Sequence, residues 1–272
     1  MNDYVASNRD LWNEWVDINA RSKFYGLEEF RKGGSRIRPY ELEEVGPVGG
    51  KTLLHLQCHF GMDTLSWARE GAVVTGADFS ERGIEVARSL AAELGLESTF
   101  VHSDLYELPN VLEGQFDVVY TSRGVLYWLP DLARWGRVAA HFVKPGGIFY
   151  VTEAHPVFMV LDDELKGPHL RLRYPYWTRE EPLEFENIGS YADPTQPVTV
   201  PTEYGWTHSL GEMVTALAEA GLRIEFLHKF DFVEWPMPPF TEQSPDGLWR
   251  LPPGKYGDGE LPLFFSLRAR KD

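Results

Sequence analysis

Cysteine is nearly absent from this 272-residue chain: Cys58 stands alone, so no disulfide can close within the sequence and the reducing cytosol is the simplest compartment. No run of about eighteen apolar residues occurs, which argues against a helical membrane span and a membrane partner. The opening MNDYVASNRDLWNEW lacks the basic start and apolar core of a secretory signal. Positive charge is also scarce. Lys and Arg number 26 against 41 Asp and Glu, leaving a formal net charge of −15. Backbone phosphates need a basic surface, so a nucleic-acid partner is not expected. The two basic clusters, RKGGSRIR (31–38) and RARK (268–271), read as solvated surface. There is no G-x-S-x-G elbow, and Glu153 with His155 is too few ligands for a metal site, so no metal is expected.

What is present is an alternation. Residues 8–30 read as one helix, with Leu11, Trp15 and Ile18 at helical spacing, and Gly33, Gly34 and Pro39 break it. From Lys51 onward, strands at 51–57, 72–78, 98–102, 116–122 and 147–153 are interleaved with helices at 62–70, 81–94 and 131–143. Gly71 and Gly95 stand where helices stop, Asp131 fits an N-cap, and KPGG (144–147) reads as a helix-to-strand turn. Such repetition means a mostly parallel sheet covered on both faces. Residues 154–206 break the rhythm with prolines, glycines and many aromatics. So long an irregular stretch points to a lid or binding loop, with a peripheral β-hairpin over a sheet edge as the alternative. Ser209 to Glu212 then fits a capping box, and strands at 222–230 and 261–270 are placed to pair antiparallel.

The richest stretch is LLHLQCHFGMDTLSWAREGAVVTGADFS (53–80). An apolar strand enters a tight turn, a helix follows, and a second strand ends in Asp78. Backbone N–H groups at such a turn and an acid on the neighbouring strand suit a nucleoside. A dinucleotide turn requires G-x-G-x-x-G, whereas here Gln57 and His59 take the places of small residues and only Gly61 remains. A ligand without phosphates tolerates that turn.

Five segments in order, LLHLQCHFG (53–61), GADFS (76–80), SDLYELP (103–109), FDVVYTSRGVLYWLPD (116–131) and VKPGGIFYVTEAHP (143–156), give the chain its resemblance to class I S-adenosylmethionine-dependent methyltransferases. The resemblance is strong over about 45–155 and looser over 205–270. It implies an α/β fold: a Rossmann-like, seven-stranded, mostly parallel sheet with helices on both faces, an antiparallel last strand and a lid insertion after strand five. The matching organisation is an N-terminal helical cap (1–44), a core (45–155 and 207–272) and a substrate lid (156–206). The cofactor implied is S-adenosyl-L-methionine, and the reaction a direct in-line methyl transfer to a small, partly hydrophobic molecule. A silent cofactor binder, or another S-adenosyl-nucleoside enzyme, is the alternative.

The same resemblance implies roles. Asp78 would accept from the ribose hydroxyls, Phe79 lie on the adenine, Asp104 accept from its amine, and the Leu105 N–H donate to the ring. Gly61 would let the backbone approach the cofactor, and Gln57 would contact its amino acid end, with Cys58 buried in the same turn. Thr121, Ser122 and Arg123 would floor the methionine end, and Tyr25 would close the site from the N-terminal side. His55 stands where the family carries an acid and reads as a core group. His155 and His208 are the candidate general bases. TSRG (121–124) replaces the Asn-Pro-Pro-Tyr-like tetrapeptide of amino-group methylases acting on DNA, in keeping with the acidic charge.

Overall fold

The computed structural model describes residues 3–167 and 169–272. Helix α1 (Asp3–Arg21) buries Leu11, Trp15 and Ile18. It stops before Gly26, whose φ of 60° is left-handed, and α2 (Leu27–Arg31) starts afresh. The single helix expected over 8–30 is therefore two. Helix α3 (Pro39–Val45) begins on a proline, whose missing N–H costs nothing in a first turn.

The alternating core follows: β1 (Thr52–Leu56), α4 (Met62–Arg69), β2 (Val73–Asp78), α5 (Glu81–Leu94), β3 (Ser98–His102), β4 (Phe116–Thr121), α6 (Leu132–Phe142) and β5 (Val143–Ala154). Capping chemistry sets the helix limits. The Ser80 hydroxyl accepts from the Gly83 N–H, Asp131 accepts from Arg134 N–H, and Gly95 ends α5 at φ 64°. KPGG is not a separate turn. Strand β5 already begins at Val143, and Gly146, at φ 77°, sits near a register shift against β4.

The segment expected to lack regular structure holds a short helix, α7 (Pro156–Met159), and a hairpin of β6 (Leu183–Glu186) with β7 (Thr202–Gly205). Helix α8 (Leu210–Glu219) starts with the reciprocal Ser209–Glu212 capping box. After it come β8 (Leu222–Phe230), β9 (Phe232–Val233), β10 (Glu242–Gln243), β11 (Trp249–Arg250) and β12 (Phe264–Lys271).

Seven strands form one sheet in the order β3-β2-β1-β4-β5-β12-β8, and β12 runs antiparallel to both of its neighbours. Period-two alternation divides the core between two faces. Leu54 and Leu56 pack with Trp135, Phe142 and Phe149 under α6 and α8, while Leu53 packs with Trp67, Tyr120 and Tyr150 on the other face. Each such side chain, fully buried, contributes roughly 1.5–3 kcal/mol. Winding reverses between β1 and β4, so a crevice opens at their carboxyl ends, where α/β sheets hold ligands.

Candidate active site

The turn after β1 takes a path glycine would take freely. Gln57 has φ 58° and His59 φ 52°, both left-handed, and each costs about 1–2 kcal/mol for a residue with a side chain. That shape brings the His59 N–H to 2.7 Å from Asp78 Oδ2, while the Ser80 N–H donates to Oδ1 at 2.8 Å. Burial nevertheless pushes the Asp78 carboxyl up to about 6, against the pull of these donors. Gly61 also has a packing reason to be glycine. Its φ is 81°, and a Cβ there would stand 2.8 Å from the Phe100 ring, so local packing excludes a side chain whatever the ligand.

A cavity of about 910 Å3 runs from this turn to the insertion. Asp78, Phe79, Asp104 and Leu105 wall one end; Gln57, Ser122 and Glu153 lie midway; Tyr127, Tyr174, Phe185 and Trp206 wall the other. Asp104 Oδ1 accepts from the Tyr106 N–H at 2.8 Å. Gln57 donates through Nε2 to the Val125 carbonyl at 3.1 Å, and its Oε1 is buried on the wall with no partner. The Glu153 carboxylate accepts from the N–H groups of Gly124, Val125 and Leu126 at 2.8, 2.9 and 3.2 Å, which fixes the loop after β4.

The roof joins three distant segments. Asn19 Nδ2 donates to His59 Nε2 at 3.2 Å, Ser190 Oγ donates to Asn19 Oδ1, and the hydroxyls of Tyr25 and Tyr191 are bonded to each other. Burial drives His59 down to about 3, so its imidazole is neutral, and pushes Tyr25 up to about 12. Trp12 adds an edge contact to His59 at 4.9 Å between ring centres.

Beneath the turn, His55 is held by Thr64 Oγ1 and Ser122 Oγ, each at 2.8 Å, and burial lowers it to about 4. It is a neutral, satisfied core group. Arg123 reaches the wall but spends its guanidinium on Glu41, Asp63 and Glu234.

The cavity thus gathers Tyr25, Gln57, Cys58, Gly61, Asp78, Phe79, Asp104, Leu105, Ser122 and His208. Two expected residues lie off its wall. Thr121 is fully buried within the sheet, because strand alternation turns it away, and its hydroxyl has no partner. His155 caps α7, its Nδ1 accepting from the Val157 N–H at 3.3 Å, with its ring against Phe265. His208 reaches the wall with both nitrogens engaged, Nε2 with the Leu129 carbonyl at 2.7 Å and Nδ1 with Thr178 at 3.3 Å. A base role for it would first have to break one of these bonds. Sequence reasoning missed the work of Glu153, Asn19 and Tyr191. For Glu153 a signal existed, a lone acid ending the apolar run IFYVTEA; the others are set by contacts between distant segments.

Among the described residues no group of three or more His, Cys, Asp or Glu could hold a metal ion, and no helix is long and apolar enough to cross a membrane.

A nucleoside with an amino acid tail fits this wall. An acid ends β2 at the turn, a second follows β3, and the unpartnered Gln57 oxygen lies between them and the loop after β4. Comparison with known proteins agrees. Residues 54–151 match the family model described as a methyltransferase domain. A ubiquinone biosynthesis O-methyltransferase of Serratia proteamaculans is 36% identical over 136 residues, 48% of this chain and 56% of that protein. The chain spans about half the length of the curated relatives it matches. An S-adenosylmethionine-dependent methyltransferase structure from Mesorhizobium loti superposes with a TM-score of 0.59 at 22% identity, covering 86% of this chain and 96% of that one. The glycopeptide N-methyltransferase MtfA, complexed with S-adenosylmethionine, gives 0.54 at 17% identity over 91% and 94% of the two chains. Residues 54–151 thus match a methyltransferase domain, and the fold around them is that of solved S-adenosylmethionine-dependent methyltransferases.

Proposed function

We propose that the protein is an enzyme that transfers the methyl group of S-adenosyl-L-methionine to a small, partly hydrophobic acceptor. The observation that carries this reading is one continuous cavity with a nucleoside-suited end at Asp78 and Asp104 and an aromatic end under the insertion. The cofactor, when bound, supplies an activated methyl group, so the chain's task is to bind, align and exclude water. Asp78 accepts from the ribose, Asp104 and Leu105 hold the adenine, and Gln57 with Ser122 faces the amino acid tail. Residues 1–44 act as a cap and 156–206 as a lid, and the bonds of Asn19, Tyr25 and Tyr191 latch the two together over the turn. A cytosolic setting suits the buried free thiol of Cys58.

A small acceptor also fits the charge. Arg268 and Arg270 both pair with Glu225, and Arg31 with Glu28 and Glu93, so the basic clusters are spent on neighbouring carboxylates. The silent-binder alternative drew on the glycine-poor turn. Gln57 and His59 keep the left-handed backbone that glycine would supply, which removes much of that support.

Calorimetric titration with S-adenosylhomocysteine, followed by an acceptor panel read by its release, tests the reading. Tight binding without turnover on any acceptor would favour the silent binder. His59→Gly separates backbone from side chain at the turn. Glycine relieves about 1–2 kcal/mol of left-handed backbone strain, offsetting lost ring packing, so the melting temperature should stay within about 2 °C of the parent. Loss of the Asn19 and Trp12 contacts should still weaken S-adenosylhomocysteine several-fold by calorimetry. Unchanged affinity would show that the roof does not retain the cofactor.

A further inference from the structure

We propose that the acceptor is a small amine, held as its ammonium ion between the Glu203 carboxylate and the aromatic wall at the lid end of the cavity. This rests on reading that end as the acceptor chamber. Charge is the first ground. Among the described residues, Arg36 and Arg123 are the only Lys or Arg on the cavity wall, and both stand at the turn end facing Asp63. The lid end has no such cation on its wall.

Glu203 is the second ground. It lies on β7 opposite Phe185 of β6 and lines the cavity. Asn187 Nδ2 donates to its Oε2 at 2.7 Å, and among the described residues it makes no ion pair. Burial raises its proton affinity, and no nearby cation offsets that cost. Beside it, the buried Tyr127 hydroxyl faces the same carboxylate as a second donor, after Asn187, and neither donor carries a charge. The Tyr127 ring is fixed by its packing on β7, where a Cβ at Gly205 would fall 1.7 Å from it. A half-buried carboxylate that lines a cavity with neutral donors only, and no ion pair among the described residues, has acceptor capacity left for a charged donor.

The remaining wall suits a cation. Tyr127, Tyr174, Phe185 and Trp206 line the same end, with Tyr174 and Phe185 5.7 Å apart at 63°. Ring faces attract an ammonium, more strongly where water is excluded. The opposite preference follows for anions, because a carboxylate or an ionised phenol would meet Glu203. The nearby Arg173, over the Tyr174 ring, lies off the cavity wall and is paired with Asp162, Asp163 and Glu164. The carboxylate also gives the ammonium proton a place to go, at a Glu203 oxygen.

The test is calorimetry on the full chain with S-adenosylhomocysteine present, using 2-phenylethylamine, 2-phenylethanol and phenylacetate as probes. The amine should bind at least tenfold tighter than the alcohol, and the acid not at all. Glu203→Gln should remove at least tenfold of the amine affinity while S-adenosylhomocysteine binds as in the parent. Equal or tighter binding of the alcohol or acid, no binding of any probe, or an unaffected variant would each overturn the proposal. The probe ranking on the parent protein decides even if the variant does not fold. If S-adenosylhomocysteine itself fails to bind the parent, the cofactor reading falls; if it binds and the amine does not, only the amine assignment does.

Discussion

Asp78→Asn should weaken S-adenosylhomocysteine binding by about ten- to a hundredfold, or about 1.5–3 kcal/mol. Both oxygens of Asp78 already accept a backbone N–H, one from His59 and one from Ser80. An amide has only one oxygen, so its nitrogen must face one of these donors. The change therefore removes an acceptor from the ribose and loosens the turn beneath the cofactor. Calorimetry measures the first effect and circular dichroism checks that the fold survives. Unchanged affinity would reject the ribose assignment. Acid should act oppositely on binding and folding. Burial holds Asp78 up to about 6, above the ordinary carboxylate near 4. Below about pH 6 it takes up a proton, loses charge-assisted acceptance and binds the nucleoside less well. The native chain holds that proton more tightly than the unfolded chain, so this group costs stability above pH 6, and the cost is relieved between pH 6 and 4. Asp78→Asn should lack both dependences.

The sheet was legible because each local signal agreed with the next. Asp131, Ser209 and Gly95 mark helix ends by chemistry confined to a few residues, and the apolar runs leave little choice of strand. Asp78 stands out as the acid that ends the second strand, whereas Asp104 is reached through the family resemblance of SDLYELP (103–109). What could not be read depends on long-range contact. Nothing local says that Asn19 meets His59 and Ser190, or that Glu41 and Glu234 converge on Arg123. The break at Gly26 shows the limit in miniature: apolar spacing ran through 8–30, and a single left-handed glycine divided it. His155 illustrates the other failure. A histidine at the tip of a central strand suggested a base, but the proline after it starts a helix, and the imidazole serves as its cap.

Arg123→Met should destabilise the chain by about 3–5 kcal/mol, the usual cost of removing one partner from a buried ion pair. Arg123 is 8% exposed, and its partners Glu41 and Glu234 are 0% and 4% exposed, so water cannot take the place of the guanidinium. The cluster ties α3, the start of α4 and the segment after β9 to the loop that follows β4. Its loss should lower the melting temperature by about 10 °C in a chain of this size. The pH dependence has a definite sign. Burial already raises Glu41 to about 7 although Arg123 opposes the shift. Without Arg123 the carboxyl rises further and stays protonated near neutrality, which limits the damage. As pH climbs, it must ionise in a dry site with no cation, so the variant should lose more at pH 8 than at pH 6. The Tyr120 hydroxyl, at 2.6 Å, and the Arg38 N–H, at 2.9 Å, still donate to Glu41 but carry no charge to match it. Adding Glu41→Gln to Arg123→Met should therefore recover part of the loss, most clearly at pH 8, and flatten the pH dependence. Melting within about 2 °C of the parent at pH 8, or no recovery in the double variant, would show that the cluster does not hold the site's floor.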